Sequence, residues 1–354
     1  PASLPRAPFP APRRGAAPCG GGLASLLPSH GMKLALLQLN PTVGALAANA
    51  ARIEQAVRQV GPVDLCISPE MSLVGYPPRD LLLQRAFVVR AHEVLGRLAS
   101  ALASAPPVLV GVPMENAALD GRPLFNAAAL LRGGRVERFF RKSLLPTYDV
   151  FDEDRYFEPG PGGGALIEAG GRDLAVSICE DIWNDRDFWQ RRRYHHDPIE
   201  EAKAEGAEVV VNMSASPFAA GKQALRERMI GQLARRHALA VVYVNQVGGN
   251  DDLVLDGRSL VVDREGVVRA RARAFAEDAL VVDTETLDAG GVPSLPDEPA
   301  EILEALVLGT RDYARKCGFR SALLGLSGGI DTAVTASIAV TALSTRSSSF
   351  PPQR

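Results

Sequence analysis

Long apolar runs are absent: no stretch approaches the ~18 residues that a membrane-spanning helix needs. A surplus of one charge is absent too. The 39 Lys and Arg stand against 41 Asp and Glu, a net charge of −2, which gives no general pull toward nucleic acid or an anionic membrane surface. Aromatic residues make up 6% and show no stacked platform of the kind that grips single-stranded nucleic acid. Cysteine is scarce. Cys19, Cys66, Cys179 and Cys317 are scattered through 354 residues without a CxxC pair, which argues against a disulfide framework or a structural zinc site. His195 and His196 have no third partner at ligand-like spacing, so no metal site is expected. The remainder is an ordinary globular composition, 46% hydrophobic and 23% charged. A reducing, cytoplasmic protein with at least one thiol available for chemistry is expected.

Residues 1–31 are rich in Pro, Ala, Gly and Arg, contain no acid and have no hydrophobic period. They read as a disordered or non-native leader. From Met32 to about 287, apolar strand-like runs alternate with amphipathic helical stretches. Strands are expected at 33–39, 64–68, 107–112, 173–179, 209–213, 240–244, 260–262 and 280–283, with a hairpin at 127–131 and 136–142. Helices are expected at 46–60, 85–104, 199–205 and 222–237. Such a mixture predicts stacked α/β layers. Residues 288–298 hold Gly, Pro and acids without period and read as a linker. A second unit, 299–354, offers a helix at 300–316 with Gly318 as its C-cap, a strand at 320–326, a loop and a helix at 331–343. Its polar, Pro-containing tail is too short to complete a core, so this unit reads as truncated.

Three residues stand at strand ends in the first unit. Glu70 follows one strand, Lys142 ends another and Cys179 ends a third. Open sheets gather reacting groups at the carboxyl ends of their strands. A thiolate attacks a poor electrophile such as an amide, a carboxylate shuttles the proton, and an ammonium favours the thiolate and steadies the developing oxyanion. Taken singly each residue has an ordinary explanation. A strand-end Cys is usually a small buried hydrophobe, which is how Cys66 and Cys317 are read.

The surrounding stretches carry more. SPEMSLVGYPPRDLL (68–82), FRKSLLPTYDVFDEDRYFEPG (140–160), SICEDIW (177–183) and NMSASPFAAGK (212–222) resemble signatures of the nitrilase superfamily. In detail they are similar to the glutaminase domain of the glutamine-dependent NAD synthetase family. The resemblance implies an α/β fold, a four-layer α-β-β-α nitrilase-like sandwich. It implies Glu70 as general base, Lys142 as oxyanion stabiliser and Cys179 as nucleophile, without a cofactor for that step. It further implies glutamine held by Tyr148, Ser216 and Lys222. Glu153 is a candidate supporting acid, and Glu180 shapes the site without joining the catalytic set. The run 191–193 reads as a charged surface or subunit contact.

In the second unit LLGLSGGIDTA (323–333) resembles the pyrophosphate loop of ATP pyrophosphatases. The resemblance implies ATP bound by Gly325, Leu326, Ser327, Gly328, Gly329, Ile330, Asp331 and Thr332, with Asp331 helping to hold Mg²⁺. The helix start aims its N–H groups at phosphate. Thr332 stands where the family pattern has Ser, which keeps the hydroxyl. The family reaction converts deamido-NAD, ATP and glutamine to NAD, AMP, diphosphate and glutamate, in a large homo-oligomer that passes ammonia through a tunnel. With the second unit cut short, only the glutaminase half is expected to work. A stand-alone amidase acting on another small amide is the alternative, and a chain that only associates with complete subunits is a third.

Overall fold

A computed structural model describes residues 13–14, 31–162, 166–284, 286, 292 and 294–344. Of the expected leader it describes Arg13–Arg14 and Gly31, and of the expected linker residues 288–291 and 293 lie outside the described residues. The elements, in chain order, are β1 (Arg13–Arg14), β2 (Lys33–Gln38), α1 (Leu46–Gln59), β3 (Leu65–Ile67), α2 (Arg85–Ala101), β4 (Val108–Glu115), β5 (Leu124–Arg132), β6 (Arg135–Arg141), β7 (Leu166–Ala169), β8 (Arg172–Ile178), α3 (Pro198–Ala204), β9 (Val209–Ser214), α4 (Lys222–His237), β10 (Ala240–Asn245), β11 (Val247–Asn250), β12 (Leu253–Asp256), β13 (Leu260–Val262), β14 (Val268–Arg271), β15 (Asp278–Asp283), α5 (Glu298–Lys316) and α6 (Ile330–Leu343).

Two sheets stack face to face. One runs β1-β15-β2-β3-β4-β5-β6, the other β14-β13-β10-β9-β8-β7, and β11 and β12 form a separate hairpin. Parallel pairing of β2, β3 and β4 in one sheet, and of β8, β9 and β10 in the other, sends their carboxyl ends the same way within each sheet. Side-chain alternation builds the layers. On β2, Leu34 and Leu36 turn inward to meet Leu174, Val176, Val211 and Val244 between the sheets. Ala35 and Leu37 turn outward against α1 and α2, where Ile53, Val88 and Leu95 are buried. In the second sheet Ala175, Val210 and Val241 face α3 and α4 through Ile199, Met229 and Leu233. The result is the four-layer α-β-β-α sandwich.

Local chemistry sets the helix ends. Asp197 caps α3 by accepting from Ile199 N and Glu200 N, with Pro198 at the first helical position. Asp297 caps α5 by accepting from Ala300 N at 3.3 Å. That helix ends at Gly318, whose φ is +78°. Phe319 N donates to Ala314 O and Gly318 N to Arg315 O, the paired closure that a left-handed glycine permits.

The strand expected at 320–326 does not form. The segment is exposed and outside any sheet, and α6 begins at Ile330 after it. A strand exists only as part of a ladder, and no edge among the described residues runs beside this one. No helix of the described chain is long and apolar enough to cross a membrane.

Candidate active site

The strand ends converge as the sequence predicts, and they bring an unforeseen network with them. Glu70 lies three residues past β3, on a loop pressed against β4. Gly111 makes that approach possible, because a Cβ there would strike Met71 N and Pro69 O. Lys142 follows β6 directly and its amide donates to Asn126 O of β5 at 2.8 Å. The Lys142 side chain is fully buried. Its Nζ donates to Glu70 Oε1 at 2.7 Å and to Glu153 Oε2 and Oε1 at 2.7 and 2.9 Å. Glu153 therefore sits in the cluster rather than beside it. Glu70 also accepts from Asn126 Nδ2 at 2.7 Å and Ala215 N at 3.0 Å, while Tyr76 OH donates to Glu153 Oε1 at 3.0 Å.

Cys179 ends β8 and opens a 3₁₀ turn, Cys179–Ile182, with φ +44°. A non-glycine residue there is strained, which is a recurrent feature of functional turns. Asp181 holds the turn. Its Oδ2 accepts from Ile178 N at 2.9 Å, and its Oδ1 accepts from Ser143 N at 3.0 Å and Leu144 N at 2.8 Å, just past Lys142. The thiol lies within electrostatic reach of Glu70, Lys142 and Glu153.

The charge states follow from burial and neighbours. Burial drives the Cys179 thiol well up and the charge of Glu70 adds to it, against the pull of Lys142. The resting sulfur is thus protonated and needs a base. Burial works against the Lys142 ammonium, yet Glu153 and Glu70 together carry it above its ordinary range. Lys142 is accordingly a fixed cation and cannot serve as the base. Burial, with Glu70 adding, pushes Glu153 up to about 7, although Lys142 and Tyr76 favour its ionised form.

A second charged group borders the thiol. Glu180 is buried and accepts from Tyr148 OH on both oxygens at 3.0 Å and from Tyr194 OH at 3.1 Å. The Arg193 guanidinium lies 3.8 Å from the Tyr148 ring centroid, so the run read as charged surface or subunit contact supplies a cation at the rim. Across from it Lys222, first residue of α4, donates to Pro217 O at 2.9 Å and makes no ion pair among the described residues. Burial and the neighbouring Arg226 pull its ammonium down to about 8. Ser216 is buried. Its amide donates to Asn245 Oδ1 at 2.9 Å, and its hydroxyl accepts from Arg226, which is paired with Asp256 at 3.3 Å.

Tyr148 and Lys222 thus border the turn that carries Cys179, Tyr148 through Glu180 and Lys222 5.7 Å from the Trp183 ring centroid, while Ser216 is tied to Asn245 and Arg226. The loop 325–332 is elsewhere, exposed at the start of α6, with Gly328 at φ +83° and the Ser327 and Thr332 hydroxyls 3.4 Å apart. Asn126, Tyr76, Asp181, Tyr194 and Arg226 escaped sequence reasoning. Each is a single polar residue in a strand, loop or helix, and the partners that set it apart come together only in three dimensions.

Residues 33–291 match the carbon-nitrogen hydrolase family model. The chain belongs to that family. Residues 302–350 match a second model, NAD synthase. Among curated relatives the chain is 44% identical over 320 residues to a glutamine-dependent NAD(+) synthetase of Synechocystis, covering 88% of this chain and 57% of that one. It is 38% identical over 331 residues to the Xanthomonas campestris protein of the same name, covering 91% and 57%. It therefore spans a little over half the length of these relatives. Among solved structures, the Acinetobacter baumannii glutamine-dependent NAD+ synthetase in complex with ADP superposes with a TM-score of 0.79 at 34% identity, over 88% of this chain and 57% of that one. An amidase of the nitrilase superfamily from Nesterenkonia gives 0.61 at 22% identity, over 75% of this chain and 95% of that one, and shows the shared carbon-nitrogen hydrolase fold.

Proposed function

We propose that this chain hydrolyses the side-chain amide of glutamine at Cys179, releasing ammonia and glutamate. The observation that carries the reading is the fully buried Lys142, clamped between Glu70 and Glu153 within electrostatic reach of a protonated thiol at a strained strand end. Glu70 removes the thiol proton as sulfur attacks the carboxamide carbon. The Lys142 ammonium stabilises both the thiolate and the oxyanion that forms on the amide oxygen. Glu70 passes the proton to the departing nitrogen, ammonia leaves and a thioester remains. Water, deprotonated by Glu70, then attacks the thioester, the carbon–sulfur bond breaks, the carboxylate leaves, and the Cys179 sulfur takes the proton back from Glu70.

The flanking charges select the substrate. Glu180, oriented by two tyrosine hydroxyls, suits an α-ammonium, and Lys222, half-buried and without an acidic partner among the described residues, suits an α-carboxylate. Tyr148 and Ser216 complete the enclosure. A neutral small amide would leave both charges uncompensated, which disfavours a stand-alone amidase for such substrates.

The relatives' name supports a wider role, supply of amide nitrogen for NAD synthesis from deamido-NAD. The left-handed glycine, paired hydroxyls and helix start of the loop 325–332 support a phosphate site there, at which Asp331, in the first turn of α6, would help to hold Mg²⁺. ATP bound there would supply the adenylyl group. Since 320–326 joins no sheet and the loop is exposed, this chain by itself is expected to form no NAD. The test is ammonia release from glutamine with Cys179→Ala as blank, beside a panel of neutral primary amides. Hydrolysis that survives in the variant sinks the nucleophile assignment. A preference for neutral amides sinks the substrate.

A further inference from the structure

Most of helix α5 lies in the stretch that matches NAD synthase, residues 302–350, with Glu301 just before it, and both of its ends are wired into the amide-hydrolysing unit. Near its start Glu301, 7% exposed, is paired with Arg258, itself 1% exposed. Arg258 lies 4.0 Å from Asp256, Asp256 pairs with Arg226 at 3.3 Å, and Arg226 donates to Ser216 Oγ at 3.4 Å. At the other end Lys316 Nζ donates to Asn40 Oδ1 at 2.7 Å, Pro41 O at 3.1 Å, Gly249 O at 2.9 Å and Asn250 Oδ1 at 2.7 Å. Asn250 Nδ2 then donates to Tyr76 O at 2.8 Å, and Tyr76 OH donates to Glu153.

Docking alone does not require this. The apolar side of α5 already packs Ala305 and Leu308 against Val247 and Phe275, and burying charges is a poor route to stability compared with apolar contact. What the two polar chains add is a fixed position for their far ends, which differ. One ends on Ser216, beside the substrate. The other ends on Glu153, which holds the catalytic cation. Resting on the proposed glutamine hydrolysis, we infer that α5 positions the site from both ends. Lys316 sets Glu153 through Asn250 and Tyr76, and Glu301 sets Ser216 through Arg258, Asp256 and Arg226. Both are positioning residues rather than catalytic ones.

The division of labour gives the test. Lys316→Met and Glu301→Gln are made in the full chain and compared with the parent by ammonia release from glutamine, with thermal unfolding recorded for each. Lys316→Met lowers kcat about tenfold and leaves KM within about twofold. It also moves the acid limb of the kcat profile to higher pH, because the Tyr76 hydrogen bond favours ionised Glu153. Glu301→Gln raises KM about fivefold with kcat within about twofold. Unchanged constants in both variants, or one common loss in both that follows the unfolded fraction, overturn the inference. A second readout needs no substrate: the rate at which iodoacetamide alkylates Cys179. Should the parent release no ammonia from glutamine, the proposed function fails and alkylation decides alone. A change of about threefold or more in Lys316→Met but not in Glu301→Gln upholds the positioning of the catalytic cluster, and equal rates refute it.

Discussion

Lys142→Met isolates the charge balance of the buried cluster. The substitution keeps the length of the side chain and removes the ammonium shared by Glu70 Oε1 at 2.7 Å and both oxygens of Glu153 at 2.7 and 2.9 Å. Two carboxylates, 1% and 5% exposed, are left facing each other. Breaking a buried pair by deleting one partner costs about 3–5 kcal/mol. The carboxyls can escape that penalty by taking up protons. Glu153, pushed up to about 7 even beside Lys142, loses the cation that favours its ionised form and rises further above the unfolded value of about 4.3, so the folded variant holds more protons than the unfolded chain. A raised folded pKa gives stability that is complete below the unfolded pKa and is lost as pH rises through the folded one, at about 1.4 kcal/mol per pH unit per group. The deficit of the variant is therefore largest near pH 8 and shrinks toward pH 5, by about 1 kcal/mol, the linkage gained between the parent's Glu153 near 7 and pH 8. Urea unfolding of parent and variant at the two pH values, followed by the fluorescence of Trp183 and Trp189, measures it. A deficit below about 1 kcal/mol near pH 8, or one that does not vary with pH, would refute the paired, buried cluster.

Cys179→Ala is expected to abolish ammonia release and to leave unfolding within about 1 kcal/mol of the parent, since one small side chain replaces another; mass spectrometry on the parent with glutamine should trap a thioester that the variant lacks. Lys222 has its ammonium drawn down to about 8 by burial and Arg226, so its cation is present below that pH and lost above it. KM for glutamine should rise as pH passes upward through 8, and a Lys222→Met variant should begin with KM raised about tenfold and show no such rise. Gly111→Ala drives a Cβ into the backbone of the Glu70 loop. It should cost about 1–3 kcal/mol and depress kcat more than KM, whereas a loop free to shift would leave kcat intact.

Most of the layered fold was legible because period and length announce it. The four expected helices of the first unit appear, and α4 spans Lys222–His237 as read. The missed elements are short. The strand Leu166–Ala169 has four residues, and the hairpin Val247–Asp256 hides its alternation behind Gly248 and Gly249. The opposite error, a strand expected at 320–326, shows that a short leucine-rich run is no substitute for a pairing edge. At the site, Glu70, Lys142 and Cys179 were readable from strand ends and motif context. Their supports were not. Glu180 reads as a residue that shapes the site, but the tyrosine hydroxyls it accepts from are not foreseen as its partners. Arg193, in a run read as charged surface or subunit contact, stacks on Tyr148. Such roles depend on which loops meet, and no local pattern in the chain records that.

The carboxylate of Asp181 grips Ile178 N on one side and Ser143 N and Leu144 N on the other. Those amides belong to the ends of β8 and β6, strands of different sheets. One side chain thus works as a jig between the halves of the sandwich. It keeps the layers from sliding past each other at the only end where a slip would separate sulfur from ammonium. Substitutions that retune the outer helices can then accumulate without altering the gap across which the reaction takes place.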